Sequence, residues 1–364
     1  MRAKKQEGVL SMTAEERIRA AVPEIVDWYS RSRRLLPWRE EPGPYEIWIS
    51  EIMLQQTRIE AVIPYYERFL RELPDVQALA EVEEDRLLKL WEGLGYYSRA
   101  RNLKKAAQKI MTDFGGLLPR TAGELKSLPG IGDYTAGAIA SIAYGEPAPA
   151  VDGNVLRVLS RLLRSGEDVA APSIKARMTA LLAGCYPSGE QAALLTEGLM
   201  ELGETICIPN GAPRCELCPL RRLCLAREAG DPERYPVKTP KKARRIEERT
   251  ILLLHCGELW AIRRRERSGL LAGLWEFPNL DGCLEAREAV EAARELGLTV
   301  RAIRPAGQAR HVFTHVEWHM TGYLLEVEAP NGDLLWKTAG QIAESYPLPT
   351  ALKTYRALVL EYDR

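Results

Sequence analysis

Four cysteines are concentrated in one segment of the 364-residue chain, as C-x7-C-x2-C-x5-C over residues 207–224. Four thiolates that converge on one centre can hold an iron-sulfur cluster or a tetrahedral zinc ion. The other three cysteines are scattered and no secretory segment is evident, so a disulfide framework is not expected. The segment predicts a metal centre in a protein of a reducing, cytoplasmic compartment, nucleoid-associated if the source is bacterial. The candidate ligands are Cys207, Cys215, Cys218 and Cys224.

Two carboxylates have surroundings that suit chemistry. Glu51 lies in a mostly apolar stretch between Ile49 and Leu54. Burial there would raise the pKa of its carboxyl and suit it to general acid catalysis. Asp152 opens a predicted helix, where an aspartate most simply acts as an N-cap or turn residue. About a hundred residues separate the two carboxylates, so the sequence alone does not bring them together.

A glycine-containing turn lies within residues 128–145. Pro129-Gly130-Ile131-Gly132 predicts a tight turn, after which a helix of small residues begins near Tyr134. The two glycines let backbone N–H groups approach a phosphate, and the following helix N-terminus attracts negative charge. The pattern is typical of the helix-hairpin-helix DNA-binding element, and an ordinary αα-hairpin is the alternative.

The elements that must position these residues form two regions. Residues 12–230 carry apolar residues at helical spacing, as in IWISEIMLQQTRIEAVIPYYERFL and LLKLWEGLGYYSRARNLKKAAQKIM. Residues 231–249 contain prolines and a basic group, and we interpret them as a linker and a candidate DNA-backbone patch. Residues 250–364 show strand patterns, one helix and the turn-like segment 330–333. The sequence therefore predicts a mainly α N-terminal domain, 1–230, and a C-terminal α+β domain, 250–364. The basic group consists of Lys238, Lys241, Lys242, Arg244, Arg245 and Arg249.

Composition excludes little. No apolar stretch is long enough to span a bilayer, so no membrane role is expected. The formal net charge is zero. This is weak evidence against a nucleic-acid partner, because phosphate contacts require only local basic patches.

Three further motifs bear on function: Leu36-Pro37-Trp38-Arg39, the string SEIMLQQT at 50–57 and GLGYYSR at 93–99. With the turn, the aspartate and the cysteines in the same order, they resemble the MutY family of adenine DNA glycosylases, within the endonuclease III superfamily. The resemblance covers about residues 30–230. It implies a helix-hairpin-helix glycosylase domain that flips adenine out of duplex DNA and hydrolyses its N-glycosidic bond where adenine is mispaired with 8-oxoguanine or guanine. We expect a monomer.

The same resemblance implies a role for each site residue. Glu51 would protonate adenine N7, Asp152 would stabilise the oxocarbenium-like sugar, Tyr134 would support that charge, and Asn154 would place the attacking water. Tyr134 stands where bifunctional relatives have a lysine that forms a Schiff base. A monofunctional glycosylase is therefore expected, and an endonuclease III-like glycosylase/lyase is the alternative. The implied DNA- or base-contacting residues are Arg39, Gln56, Thr57, Leu94, Tyr96, Gly130, Gly132 and Glu197.

The C-terminal region resembles a Nudix domain, because LLAGLWEFP at 270–278 is followed by a helix. The glutamate pair that binds a divalent metal in hydrolytic Nudix proteins is missing from residues 293–298, so diphosphate hydrolysis is not expected. The resemblance implies instead that this domain recognises 8-oxoguanine through a Phe-Ser-His loop, which here reads Phe313-Thr314-His315. Three histidines recur every fourth residue but alternate with apolar residues, as on one continuous strand, so no metal site is expected there. They are His311, His315 and His319.

The cysteine spacing taken alone would favour zinc, whereas the superfamily resemblance favours [4Fe-4S]. The usual family spacing is C-x6-C-x2-C-x5-C, so this chain has one additional residue, within the turn-rich stretch 208–214. Arg214, Arg221 and Arg222 are candidate phosphate contacts. Two alternatives of other classes are a nucleotide-pool hydrolase and a non-catalytic lesion-binding protein.

Overall fold

A computed structural model describes residues 12–239, 243–331 and 334–362. These residues form two compact units. The first comprises residues 12–81 and 102–239, and the second comprises residues 82–101 together with 243–362. The first unit is helical and the second is built on a β-sheet, which confirms the predicted fold class. Among the described residues, none of the helices combines the length and the apolar character that a bilayer crossing requires.

The helices before the sheet lie in both units, since α5 and the first residues of α6 belong to the second unit. In chain order they are α1 (Ala14–Ser32), α2 (Pro44–Leu54), α3 (Ile59–Glu72), α4 (Val76–Glu81), α5 (Glu84–Leu90), α6 (Ser98–Asp113), α7 (Ala122–Leu125), α8 (Asp133–Tyr144), α9 (Gly153–Leu163), α10 (Pro172–Ala183), α11 (Glu190–Thr205) and α12 (Leu225–Glu228).

The core of the first unit lies where α1, α9 and α11 pack together. Ile25, Leu159 and Leu199 are buried in one cluster there, and burial of each such side chain contributes roughly 1.5–3 kcal/mol. Gly198 permits the close approach of α11 to α1, because a Cβ at that position would lie 2.8 Å from Ile25 Cγ2. Helix α1 begins at a capping box formed by Thr13 and Glu16. This three-helix packing fixes α9 and α11, which carry several of the predicted site residues.

The second unit contains a sheet in which β1 pairs in parallel with β6, and β5 pairs with β6 in antiparallel fashion. Its main strand order is β3-β2-β1-β6-β5, with β4 paired to β1 and β7 paired to β2. The strands are β1 (Arg245–Cys256), β2 (Leu259–Arg264), β3 (Trp275–Glu276), β4 (Asn279–Asp281), β5 (Val300–Val312), β6 (Val316–Val327) and β7 (Leu335–Thr338).

Helices cover both faces of this sheet. Alternate residues of β1 point to opposite sides and therefore pack against different helices. Leu252 and Leu254 pack in a cluster with Ala289 and Ala293 of α13. Ile251 and Leu253 pack in a second cluster that includes residues of the two C-terminal helices. The arrangement is the α+β architecture that the sequence predicts for this region. The helices are α13 (Ala286–Glu295), α14 (Ala339–Ser345) and α15 (Lys353–Tyr362).

Two segments that the sequence predicts as helical are interrupted by loops. The first breaks between Leu54 and Ile59, where Gln56 has φ of +58°. The second breaks between Leu90 and Ser98, where Tyr96 has φ of +46°. Apolar spacing alone misses both breaks, and in the second loop it continues because Leu94 and Tyr97 are buried.

Several predictions for the linker and the C-terminal region need correction or stay untested. Strand β1 begins at Arg245, within the predicted linker, because residues 245–249 pair with residues 316–320 of β6. The histidine stretch is a hairpin and not one continuous strand, since β5 ends at Val312 and β6 begins at Val316. The exact predicted domain boundaries stay predictions. Lys241 and Lys242 of the basic group, with residues 332–333 of the predicted turn, lie outside the described residues.

Candidate active site

Glu51 and Tyr134 meet between α2 and α8. The Tyr134 hydroxyl donates a hydrogen bond to Glu51 Oε2 at 3.1 Å. A second bond, from Gln55 Nε2 to Thr135 Oγ1 at 3.1 Å, connects the same two helices. The Glu51 side chain lies in the most apolar part of α2, where only 7% of the residue is exposed. The apolar stretch thus buries the carboxyl, as the sequence predicts.

Burial raises the pKa of Glu51 to about 7, although the hydrogen bond from Tyr134 opposes the shift. The negative charges of Glu197 and Asp152 add to the rise in pKa, and the Arg39 guanidinium lowers it. A carboxyl with this pKa is substantially protonated near neutral pH and can transfer a proton to a bound base.

Asp152 is the N-cap of α9 and accepts three hydrogen bonds. The donors are the backbone N–H groups of Asn154 and Val155, each at 2.8 Å, and Asn154 Nδ2 at 2.9 Å. Burial raises the pKa of Asp152, and these bonds together with Arg157 oppose that shift. Within the described part of the chain, Glu51 accepts no hydrogen bond from a backbone N–H and is bonded by the Tyr134 hydroxyl instead. Hydrogen bonds from the backbone favour the ionised form of Asp152, whereas burial favours the protonated form of Glu51. Glu51 is therefore suited to act as an acid, and Asp152 to stabilise a positive charge.

The fold brings these carboxyls together although they are far apart in sequence. Burial raises the pKa of the Tyr134 phenol well above the ordinary value, and the nearby charges of Glu51 and Asp152 add to the rise. Gly203 of α11 lets that helix approach the start of α9, since a Cβ there would lie 2.6 Å from Asn154 Cβ. The Asn154 side chain is held at both ends, by Asp152 and by Arg157 Nη2 at 2.7 Å.

Arg39 and Glu197 form the next layer of the site. Arg39 Nε lies 3.5 Å from Glu197 Oε1, and both side chains are largely buried. Burial raises the pKa of the Glu197 carboxyl, and the Arg39 charge opposes the shift. Glu197 is therefore not a solvated residue of the helix surface.

Sequence reasoning missed Glu201 and Arg34. Glu201 is buried and pairs with both Arg34 and Arg39. A signal existed, because Glu197, Glu201 and Glu204 recur at the i, i+4, i+7 spacing of one helix face.

Gln56 and Tyr96 share an unusual backbone conformation. Both are non-glycine residues with positive φ, a conformation that costs on the order of 1–3 kcal/mol. Both side chains are exposed. The neighbouring Thr57 donates its hydroxyl to Gln55 O at 3.3 Å. Leu94 differs, because it is only 7% exposed and its side chain is not presented for a base contact.

The Phe313–Thr314–His315 turn joins β5 and β6 in the second unit. The Phe313 ring packs edge-on against Trp318, with centroids 5.1 Å apart. Thr314 and His315 are exposed, and Thr314 Oγ1 lies 2.9 Å from the Tyr96 hydroxyl. The structure therefore places the hydroxyl of the predicted lesion-recognition loop beside Tyr96, one of the predicted DNA- or base-contacting residues.

The predicted turn before α8 is present. Gly130 has φ of +80°, and Gly132 is the N-cap of α8. A Cβ on Gly132 would meet no atom within 4 Å, so the outer side of this turn is open. The turn can therefore present backbone N–H groups to an anion.

All four clustered cysteines line one small cavity. Arg161 Nη1 lies 3.2 Å from Cys207 Sγ, and Cys224 Sγ lies 3.3 Å from Arg161 O. The stretch 208–214 folds back on itself, with Arg214 N donating to Ile206 O at 3.0 Å. The additional residue is thereby accommodated without moving Cys207 or Cys215 off the cavity. Among the described side chains, no set of three or more His, Cys, Asp or Glu is arranged around a single metal ion.

Comparison with known proteins agrees with this geometry. Residues 49–183 match the model of the HhH-GPD superfamily base excision DNA repair proteins, and residues 249–358 match a NUDIX domain. The chain is 34% identical to adenine DNA glycosylase of Homo sapiens, over 84% of this chain and 67% of the human protein. The adenine DNA glycosylase of Mus musculus is 33% identical, over 91% of this chain and 77% of the mouse protein. That of Schizosaccharomyces pombe is 30% identical, over 92% of this chain and 88% of the yeast protein. The chain belongs to the adenine DNA glycosylase family.

Solved structures similar to this adenine DNA glycosylase family member match its helical part. A thermostable thymine-DNA glycosylase superposes with a TM-score of 0.52 and 29% identity, over 58% of this chain and 97% of that one. Endonuclease III in a non-covalent complex with DNA superposes with a TM-score of 0.51 and 25% sequence identity, over 60% of this chain and 99% of that one. The family membership confirms that the chain is a base-excision repair glycosylase, a hydrolase of N-glycosidic bonds.

Proposed function

We propose that the chain excises adenine paired with 8-oxoguanine or guanine in duplex DNA, without cleaving the strand itself. The supporting observation is the buried Glu51 carboxyl, with a pKa of about 7, held by Tyr134 beside the hydrogen-bonded Asp152. The names of the relatives agree with adenine as the substrate.

In the proposed reaction the adenosine nucleotide is first extruded from the stack, at a cost of a few kcal/mol. Glu51 transfers its proton to adenine N7, and the glycosidic bond breaks with its electron pair leaving on the base. Asp152 remains ionised and stabilises the positive sugar. Water, oriented by Asn154, adds to the sugar carbon and gives a proton to the Glu51 carboxylate, which leaves an abasic site and restores the acid form of Glu51.

The absence of an amine at position 134 favours a monofunctional enzyme. Tyr134 is a phenol kept protonated by its surroundings and cannot form a Schiff base. A duplex with one adenine opposite 8-oxoguanine should release free adenine and break at that position only after alkali treatment. A covalent protein–DNA adduct trapped by borohydride would contradict this proposal.

The four cysteines fit an iron-sulfur cluster, which family membership also favours. All four thiols line one pocket, as the ligands of a single centre must. Cys207, Cys215, Cys218 and Cys224 would hold a [4Fe-4S] group, which would cross-link the segment after α11 to α12.

Protein purified without oxygen should contain about four iron atoms per chain and absorb visible light. Cys215→Ser should lose most of the iron, because it removes one cavity thiolate. Cys185→Ser is the matched control, since Cys185 does not line the cavity, and it should retain the iron. Iron analysis with visible absorbance checks both variants. Stoichiometric zinc without iron in the unaltered protein would overturn the cluster assignment.

Recognition of the opposite base is assigned to Thr314, His315 and Tyr96. The Thr314 hydroxyl lies within hydrogen-bond distance of Tyr96 and is exposed to a ligand. Thr314 therefore supplies the hydroxyl that the Phe-Ser-His loop has, with an added methyl group.

Thr314→Val should lower the preference for 8-oxoguanine over guanine about three- to tenfold, because it keeps the shape but removes the hydroxyl. Thr314→Ser is the matched control and should preserve the preference. The measurement is the ratio of single-turnover rates on the two duplexes. An unchanged ratio in Thr314→Val would show that the hydroxyl has no part in recognition.

A further inference from the structure

Glu201 is a buried carboxylate on α11 that no step of the proposed reaction uses. Only 2% of the residue is exposed. Its Oε1 accepts from Arg34 Nε and its Oε2 accepts from both Arg34 Nη2 and Arg39 Nη1, the last two at 3.0 Å. One carboxylate thus holds two guanidinium groups in the interior.

Arg39 is fixed on one side and incompletely bonded on the other. Its Nη1 is held by Glu201 Oε2, and its guanidinium lies 5.4 Å from the Tyr29 ring centroid. Its Nε is buried, makes no hydrogen bond within the described chain and lies 3.5 Å from Glu197 Oε1. Because a guanidinium is planar, anchoring Nη1 determines where the other N–H groups point.

The charges explain why this arrangement requires Glu201. Two guanidinium groups, of Arg34 and Arg39, face two carboxyls, of Glu197 and Glu201. Without Glu201 the buried Arg39 would have Glu197 as its remaining carboxylate and would close on it. That closed pair would occupy the hydrogen-bonding groups that a purine edge needs.

We propose that Glu201 is a positioning residue for adenine, holding Arg39 back from Glu197 so that both remain available to the extruded base. The proposal rests on the proposed function and on the contacts with the base that the family resemblance implies for Arg39 and Glu197. Arg34 completes the arrangement, because it donates to both carboxylate oxygens of Glu201 and also to Glu204 Oε2 at 2.7 Å.

The test compares Glu201→Gln with Glu204→Gln. Both changes remove a carboxylate from the same helix face and from Arg34, but only the first touches Arg39. Glu201→Gln should lower the single-turnover rate of adenine excision about 10- to 100-fold, because misplacing a substrate-contacting group by about 1 Å has this effect. Glu204 is partly exposed, so its ion pair with Arg34 is weak and Glu204→Gln should change the rate less than about threefold. The affinity for a duplex with an abasic analogue opposite 8-oxoguanine should be unchanged in both.

A second measurement separates positioning from general destabilisation. If Glu201 acts through Arg39, adding Glu201→Gln to an Arg39→Gln variant should lower the rate less than about twofold further. Glu201→Asp, which keeps the charge, should recover part of the rate, and it serves as the test variant if Glu201→Gln does not fold.

The outcomes distinguish this inference from the proposed function. An unaltered protein that releases no adenine would refute the proposed function itself. An active unaltered protein with equal rates for Glu201→Gln and Glu204→Gln would overturn the positioning role alone. Additive losses in the Arg39→Gln background would also overturn it.

Discussion

Glu51→Gln should lower the single-turnover rate of adenine excision by about 10³-fold, within the range that general acid–base catalysis contributes. The amide keeps the size of the side chain and can still accept a hydrogen bond from Tyr134. It cannot supply a proton at N7, so the base would have to leave as an anion. Rapid-quench measurement with enzyme in excess gives the chemical step directly.

A matched control is Glu60→Gln, which changes an exposed carboxylate on the next helix. It should leave the rate within about twofold of the unaltered protein. Equal rates for Glu51→Gln and Glu60→Gln would exclude Glu51 as the proton donor.

The same carboxyl predicts a pH dependence. The pKa of Glu51 is about 7, so the acid form dominates below that pH and disappears as the pH rises through it. The rate should therefore fall about tenfold per pH unit above the pKa, and Glu51→Gln should lack this alkaline limb. At low pH the rate should fall as Asp152, with its own raised pKa, becomes protonated. A rate that stays constant from about pH 6 to about pH 9 would contradict proton donation by Glu51.

Asp152→Asn should lower the rate by about 10²–10³-fold, the usual loss when an electrostatic contact to a transition state is removed. Asparagine is as good an N-cap as aspartate, so the start of α9 should persist. The change therefore isolates the negative charge beside the sugar from the structural role of the side chain.

Thermal unfolding and single-turnover rates, measured together, check this prediction. Asp168→Asn is the control, because Asp168 also accepts a backbone N–H, from Ala170 at 2.8 Å, but lies outside the site. The unfolding midpoint should change little in either variant, and only Asp152→Asn should lose activity. A large drop in the unfolding midpoint of Asp152→Asn would indicate that its main role is to cap the helix.

Local chemistry made part of the site predictable from the sequence. The apolar neighbours of Glu51 predicted its burial, and the burial accounts for its raised pKa. The position of Asp152 before a helix predicted its N-cap role, which its backbone hydrogen bonds confirm. The glycines at 130 and 132 predicted the turn before α8. In each case residues adjacent in sequence determine the outcome.

Features that depend on distant parts of the chain were not predictable in this way. The strand at Arg245 forms because β6, about seventy residues later in the chain, offers a partner. Glu201 shows the same limit, since its partners Arg34 and Arg39 lie more than a hundred residues earlier. The spacing of Glu197, Glu201 and Glu204 indicates a shared helix face but does not identify the arginines that this face meets.

The central claim, that this chain removes adenine from mispairs, is tested most directly by single-turnover assays on three duplexes. They contain adenine opposite 8-oxoguanine, guanine or thymine, and the readout is strand breakage after alkali treatment. The proposed function predicts a break at the adenine opposite 8-oxoguanine and opposite guanine, and none opposite thymine. If none of the three duplexes acquires an alkali-sensitive site, the proposed function is wrong.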